Sequence, residues 1–85
     1  MKKTVPVVAR ACALLPYRMR LEFVDGTEGE IDVAAIIQFT GVFEPLRDPA
    51  FFARLRVDHD SGTVVWPNGA DLDPVVLHEL IGQSQ

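Results

Sequence analysis

From Tyr17 to Val24 the chain reads YRMRLEFV, with Tyr17, Met19, Leu21 and Phe23 alternating with Arg18, Arg20 and Glu22. A period of two is that of a strand with one face in the core and the other in water. Asp25-Gly26 follows as turn chemistry, but a two-residue loop would set Leu21 opposite Glu30 and Phe23 opposite Glu28. Directly paired residues share a face, so that register would bury acids. A three-residue loop, Asp25 to Thr27 with a bulge, predicts instead that Leu21 pairs with Ile31 and Arg20 with Asp32.

The same reasoning runs along the rest of the chain. Residues 5 to 14 predict a preceding strand, with Pro6 near its start and Pro16 in the turn to the next. VAAIIQF has the Ala and apolar content of a short helix over 33–38, ending at the Thr40-Gly41 break. Asp48-Pro49 and Asp73-Pro74 are helix starts, an amide-accepting side chain followed by a residue suited to the first helical position. They predict helices over 49–53 and 74–81, the second with a stripe of Val76, Leu77, Leu80 and Ile81. RLRVDHDSGTVVW predicts a second hairpin whose four-residue loop, His59 to Gly62, pairs Val57 with Val64 and Leu55 with Trp66. Trp66 is then a core residue, and Pro67 ends its strand. The expected fold class is α+β: a mostly antiparallel sheet of two hairpins plus an N-terminal strand, with two or three short helices. The tail QSQ should fray.

Composition narrows what such a domain can be. At 85 residues the chain makes one domain with a thin core, burying roughly 60–65% of its unfolded surface. The N-terminal MKKTVPVVARACALLP imitates a signal peptide, but Arg10 interrupts the apolar stretch, so a first strand is the better reading. A single Cys cannot form an internal disulfide, which favours a reducing compartment, the cytoplasm. The net charge is −4, and it is unevenly spread, because residues 58 to 85 carry five acids and no Lys or Arg. A chain of this sign is a poor nucleic-acid binder unless it concentrates arginines on one face.

The strings LEFVDGTEGEIDV and, above all, GTVVWPNGADLDP resemble the family known as domain of unknown function 2442, over about residues 15 to 80. That resemblance implies a small α+β fold, found in bacterial proteins alone or ahead of a helix-turn-helix and sometimes suspected of toxin–antitoxin pairing. It implies no established activity. Members often carry an aromatic residue in the last helix where this chain has His78. This chain ends at Gln85, so the DNA binding of fused relatives is not carried over.

Candidate chemistry concentrates in three places. Asp58, His59, Asp60, Asp71, Asp73 and His78 are metal-ligand types, but DHDSG puts Gly62 at the third ligand position of a calcium loop and Gly69 where its bidentate Glu should stand. HEL around His78 lacks the second His of a zincin helix, and one Cys excludes a Cys-rich zinc site. Neither a metal nor a cofactor is expected. Cys12 reads as a small core residue, Ser61 as a turn residue and Ser84 as part of the tail, so no nucleophile is set beside a base. A small enzyme would have to centre on Asp71, Asp73 and His78. Arg18, Arg20, Arg54 and Arg56 point away from the core and would form a basic stripe for an anion or nucleic acid if the hairpins shared a sheet. Glu22, Asp32 and Asp58 lie on that same outer face, so cross-strand ion pairs are the simpler reading. Phe51 and Phe52 cannot both be buried easily by a one-turn helix. With Asp71, Asp73 and His78 they form the candidate surface for a protein partner or a second copy. The expectation is therefore a non-enzymatic interaction or regulatory module, the partner of a small basic, toxin-like protein. Asp71 is expected to accept backbone N–H bonds inside the Asn68 to Asp73 loop.

Overall fold

The computed structural model describes residues 6–83. Val5 of the expected first strand and Ser84 and Gln85 of the tail lie outside the described residues. Strands β1 (Val8–Leu14), β2 (Arg18–Phe23) and β3 (Glu28–Asp32) form an antiparallel sheet in the order β1-β2-β3. A short 3₁₀ turn over Val33–Ala35, a longer one over Gly41–Arg47 and helix α1 (Pro49–Phe52) lead to strands β4 (Arg56–Asp58) and β5 (Thr63–Val65), a second, two-stranded sheet. Helix α2 (Pro74–Gln83) closes the chain. The α+β class stands, with the two hairpins in separate sheets. β4 and β5 are only three residues each, and a bulge between Val8 and Arg10 disturbs the ladder where β1 meets them. A bond from Val8 N–H to the Gly62 carbonyl, 2.9 Å, joins hairpin to sheet.

The first hairpin keeps the expected face parity and shifts its register by two. Met19 pairs with Ile31, Leu21 with Gly29, Arg20 with Glu30 and Arg18 with Asp32, in place of the expected Leu21–Ile31 and Arg20–Asp32. The loop is Val24 to Gly26: Phe23 N–H reaches the Thr27 carbonyl at 2.7 Å and the Asp25 carboxylate accepts from Thr27 N–H at 2.9 Å. Gly26 supplies the positive φ, +92°, that this tight turn requires. The shift also serves packing, because it sets the side-chain-free Gly29 beneath Ile81 of α2.

The second hairpin pairs Val57 with Val64 across the loop His59 to Gly62. Asp58 holds that loop, its carboxylate accepting from Asp60 N–H at 3.1 Å and from the Ser61 hydroxyl at 3.0 Å. Leu55 falls outside the ladder, since its N–H is turned toward the Phe52 carbonyl at the end of α1. Trp66 is buried, as its place in the pattern requires.

Both Asp-Pro helix starts form: Asp48 accepts from Ala50 N–H at 3.0 Å and Asp73 from Val75 N–H at 2.9 Å. The helix expected over 33–38 shrinks to Val33–Ala35, capped by Asp32, after which Ile36 and Ile37 turn their side chains against the core. Gly41–Arg47 was not expected to be helical. Pro45 inside it lacks an N–H, and the tighter 3₁₀ winding accommodates a segment that an α-helix would not.

The core joins Met19, Leu21, Phe23, Ile31 and Val33 of the sheet to Leu77 and Ile81 of α2, and to Leu46, Phe52 and Trp66. Two expected core residues are exposed. Cys12 faces outward opposite Arg20, because the bulge between Val8 and Arg10 changes which residues of β1 point inward: Val8 before it, Ala11 and Ala13 after it. Val76 leaves the apolar stripe of α2, which buries Leu77 and Ile81 and half-buries Leu80. Phe52 is fully buried and Phe51 half-buried.

A Cβ at Gly29 would stand 2.9 Å from Ile81 Cγ2, an atom of a stiff β-branched side chain. Gly29→Ala should therefore destabilise the protein by about 1–3 kcal/mol in chemical denaturation, despite the better strand propensity of Ala. Combining it with Ile81→Ala, which removes both γ carbons, should cost less than the sum of the two single changes.

Candidate functional site

The segment Trp66 to Asp73 is built from local bonds. Trp66 N–H donates to the Ala70 carbonyl at 2.8 Å and Gly69 N–H returns to the Trp66 carbonyl at 2.9 Å, with Gly69 at φ +91°. The Asn68 amide works at both ends: its oxygen accepts from Ala70 N–H at 3.2 Å and its NH₂ donates to the Val42 carbonyl at 2.8 Å. A buried Thr63 hydroxyl donates to the Leu72 carbonyl at 2.6 Å, and Val65 bridges to Asp71 through the backbone. Asp71 does not take the role expected of it. Its side chain is exposed and accepts no hydrogen bond among the described residues; Asn68 holds the loop instead. An Asn at that place can both accept and donate, which a carboxylate cannot.

Asp71, Asp73 and His78 do not converge on one centre. Asp73 caps α2, and His78 Nε2 lies 2.9 Å from the Asp25 Oδ2 at the tip of the first hairpin. The His78 ring stands edge-on to Phe23 at 4.9 Å between centres and packs its apolar body there. The Asp25 carboxyl is held down at about 2, chiefly by the Thr27 backbone N–H and then by the bond to His78. The sequence marks Asp25 only as a turn residue, and nothing in it signals a contact across 53 positions. Among the described residues no three His, Cys, Asp or Glu side chains are grouped so as to hold a metal ion.

The arginines are divided between two places. On the three-stranded sheet Arg10 meets Glu22 at 3.4 Å, Arg18 meets Glu30 at 2.8 Å, and Arg20 is bonded to Glu28. The acids expected to do this were Glu22, Asp32 and Asp58; Arg18 and Arg20 instead reach diagonally to Glu30 and Glu28, each two positions nearer the turn than the residue directly opposite. Arg56 lies exposed on β4, in the other sheet, and Arg54 follows α1 with its guanidinium 5.7 Å from the centre of the Phe51 ring. One continuous basic stripe does not form, because the two hairpins do not share a sheet.

Asn68→Ala should lower stability by about 1–2 kcal/mol, the worth of two lost hydrogen bonds, whereas Asp71→Ala should stay within about 0.5 kcal/mol of the parent in the same denaturant titration. Asp25 adds a pH dependence. Because its carboxyl titrates at about 2 folded and near 3.8 otherwise, its charged form stabilises the fold above pH 3.8, and that contribution fades as the pH falls toward 2. Asp25→Asn should flatten the stability profile across that window.

Among the described residues no helix is long and apolar enough to cross a membrane. No curated protein and no solved structure matches the chain. Residues 8–82 match the family described as Protein of unknown function (DUF2442), nearly the whole length, and the chain belongs to that family.

Proposed function

We propose that this chain is a non-enzymatic interaction module that binds a small basic protein, in the way suspected for toxin–antitoxin pairs, within the reducing environment of the cytoplasm. The observation that carries the reading is the outer face of α2. Val75 and Val76 are 41% and 46% exposed there, Glu79 lies one turn on, and exposed Asp71 and Asp73 precede them. Residues 58 to 85 supply no Lys or Arg to neutralise this face. Asp60, Asp71, Asp73 and Glu79 have no ion-pair partner among the described residues.

A patch of exposed valines rimmed by uncompensated acids suits an amphipathic basic surface: the acids steer the encounter and the valines supply contact that survives salt. Nucleic acid fits less well. Three arginines of the larger sheet already hold glutamates, and releasing them would cost those pairs.

The test is to isolate the partner from the native host and to measure its affinity by calorimetry at low and high salt. The partner should be basic, its binding should weaken with salt, and Val76→Ser combined with Glu79→Gln should weaken it by about tenfold or more. Arg18→Ala with Arg54→Ala should leave it unchanged. A salt-dependent mobility shift on nucleic acid that those two arginine changes abolish would contradict the reading.

A further inference from the structure

We propose that the open edge of β3 receives an extended basic segment of the partner as a fourth strand of the larger sheet. This rests on the interaction-module reading and adds to it a second contact, away from the outer face of α2. β3 is the last strand in the order β1-β2-β3, and the opposite edge, at β1, is the one that meets the second hairpin. Phe23 N–H donates to the Thr27 carbonyl and Val33 N–H to the Tyr17 carbonyl, which makes Thr27, Gly29, Ile31 and Val33 the residues bonded to β2. The N–H and C=O groups of Glu28 and Glu30 therefore point away from the sheet. They have no partner among the described residues. An edge with free donors and acceptors in strand geometry is a template for one more strand.

The side chains select which strand. Glu28, Glu30 and Asp32 are exposed on one face of β3, two residues apart. Each uses one carboxylate oxygen inward: Glu28 for Arg20, Glu30 for Arg18 and Asp32 for Ala34 N–H. The second oxygen of each remains open to a new donor, at the roughly 6–7 Å repeat of alternate strand residues. A partner strand with Lys or Arg at every second position matches that repeat. Its cations would lie next to the acids on the side away from β2, sharing Glu28 and Glu30 with Arg20 and Arg18, which hold the other oxygen of each, while Asp32 is shared with no cation among the described residues. A second copy of this chain is the poorer occupant. Antiparallel pairing of β3 with itself would set Glu30 opposite Glu30 and Glu28 opposite Asp32, like charge against like.

The experiment uses the whole protein, isotope-labelled for NMR, and a short capped peptide that alternates Lys and Val. The peptide should bind with a salt-dependent affinity, shift the amide signals of Glu28 and Glu30 and protect those amides from exchange. N-methylation of the peptide amides that face β3 should abolish binding, and N-methylation of the opposite set should not. Replacing its Lys by Glu should weaken binding by about tenfold or more, as should Glu28→Lys with Glu30→Lys in the protein. The methylated peptides keep the test valid if that double variant folds poorly, because the protein is then unchanged. Absence of binding, indifference to which peptide edge is methylated, or self-association protecting the same amides without peptide would overturn the proposal. Signals that move only at residues 71–79 would overturn it too, while leaving the interaction-module reading intact. Failure of that reading would show separately, as a native partner that is not basic.

Discussion

The indole of Trp66 is engaged at both of its chemical ends, and three parts of the chain depend on it. Its ring packs on Phe52 at 5.7 Å between centres, and its Nε1–H donates to the Phe52 carbonyl at 2.9 Å. That one side chain ties the second hairpin to α1. Its own amide and carbonyl form the turn that carries Asn68 and Gly69, and Asn68 reaches on to Val42 in the 3₁₀ segment. Truncating a buried Trp costs about 3–5 kcal/mol, and a small domain has only about 5–15 kcal/mol in total. The 3₁₀ segment, α1 and the Trp66 to Ala70 turn are thus tied together around a residue whose loss would remove a large share of the stability.

The remaining constraint is the docking of α2 on the larger sheet. Leu77 and Ile81 enter the core, Ile81 above the space left by Gly29, while His78 reaches the first hairpin through Phe23 and Asp25. With that inner face committed, Val75, Val76 and Glu79 are left outward. The charge distribution follows the same division. The larger sheet neutralises its arginines with its own glutamates, and the acids of the last third have no ion-pair partner among the described residues. This division is what supports the proposed basic partner.

The parts of the fold legible in the sequence are those the chain encodes locally. The alternation of YRMRLEF gave the inward face of β2, Asp48-Pro49 and Asp73-Pro74 marked two helix starts, and the loop from His59 to Gly62 followed from turn chemistry. The register of the first hairpin could not be obtained that way. A pattern of period two fixes which face a residue occupies but is blind to a slip of two, and the deciding factor, Gly29 under Ile81, joins residues far apart. Cys12 was misplaced because a bulge resets the alternation and leaves no mark in VARACAL, where small residues suit either face. The partners of His78 and Asn68, Asp25 and Val42, come from other elements. The role expected of Asp71 falls to Asn68, whose amide reaches the loop and the 3₁₀ segment at once.

Native-state hydrogen exchange of the Trp66 indole N–H measures the central interaction directly. If Trp66 holds hairpin, helix and loop together, this proton exchanges only through global unfolding, with the same free energy and denaturant dependence as the Met19 and Leu21 amides of the larger sheet. Exchange through a local opening of much lower free energy, shared with residues 41–55 while the sheet stays closed, would show that the structure does not depend on it.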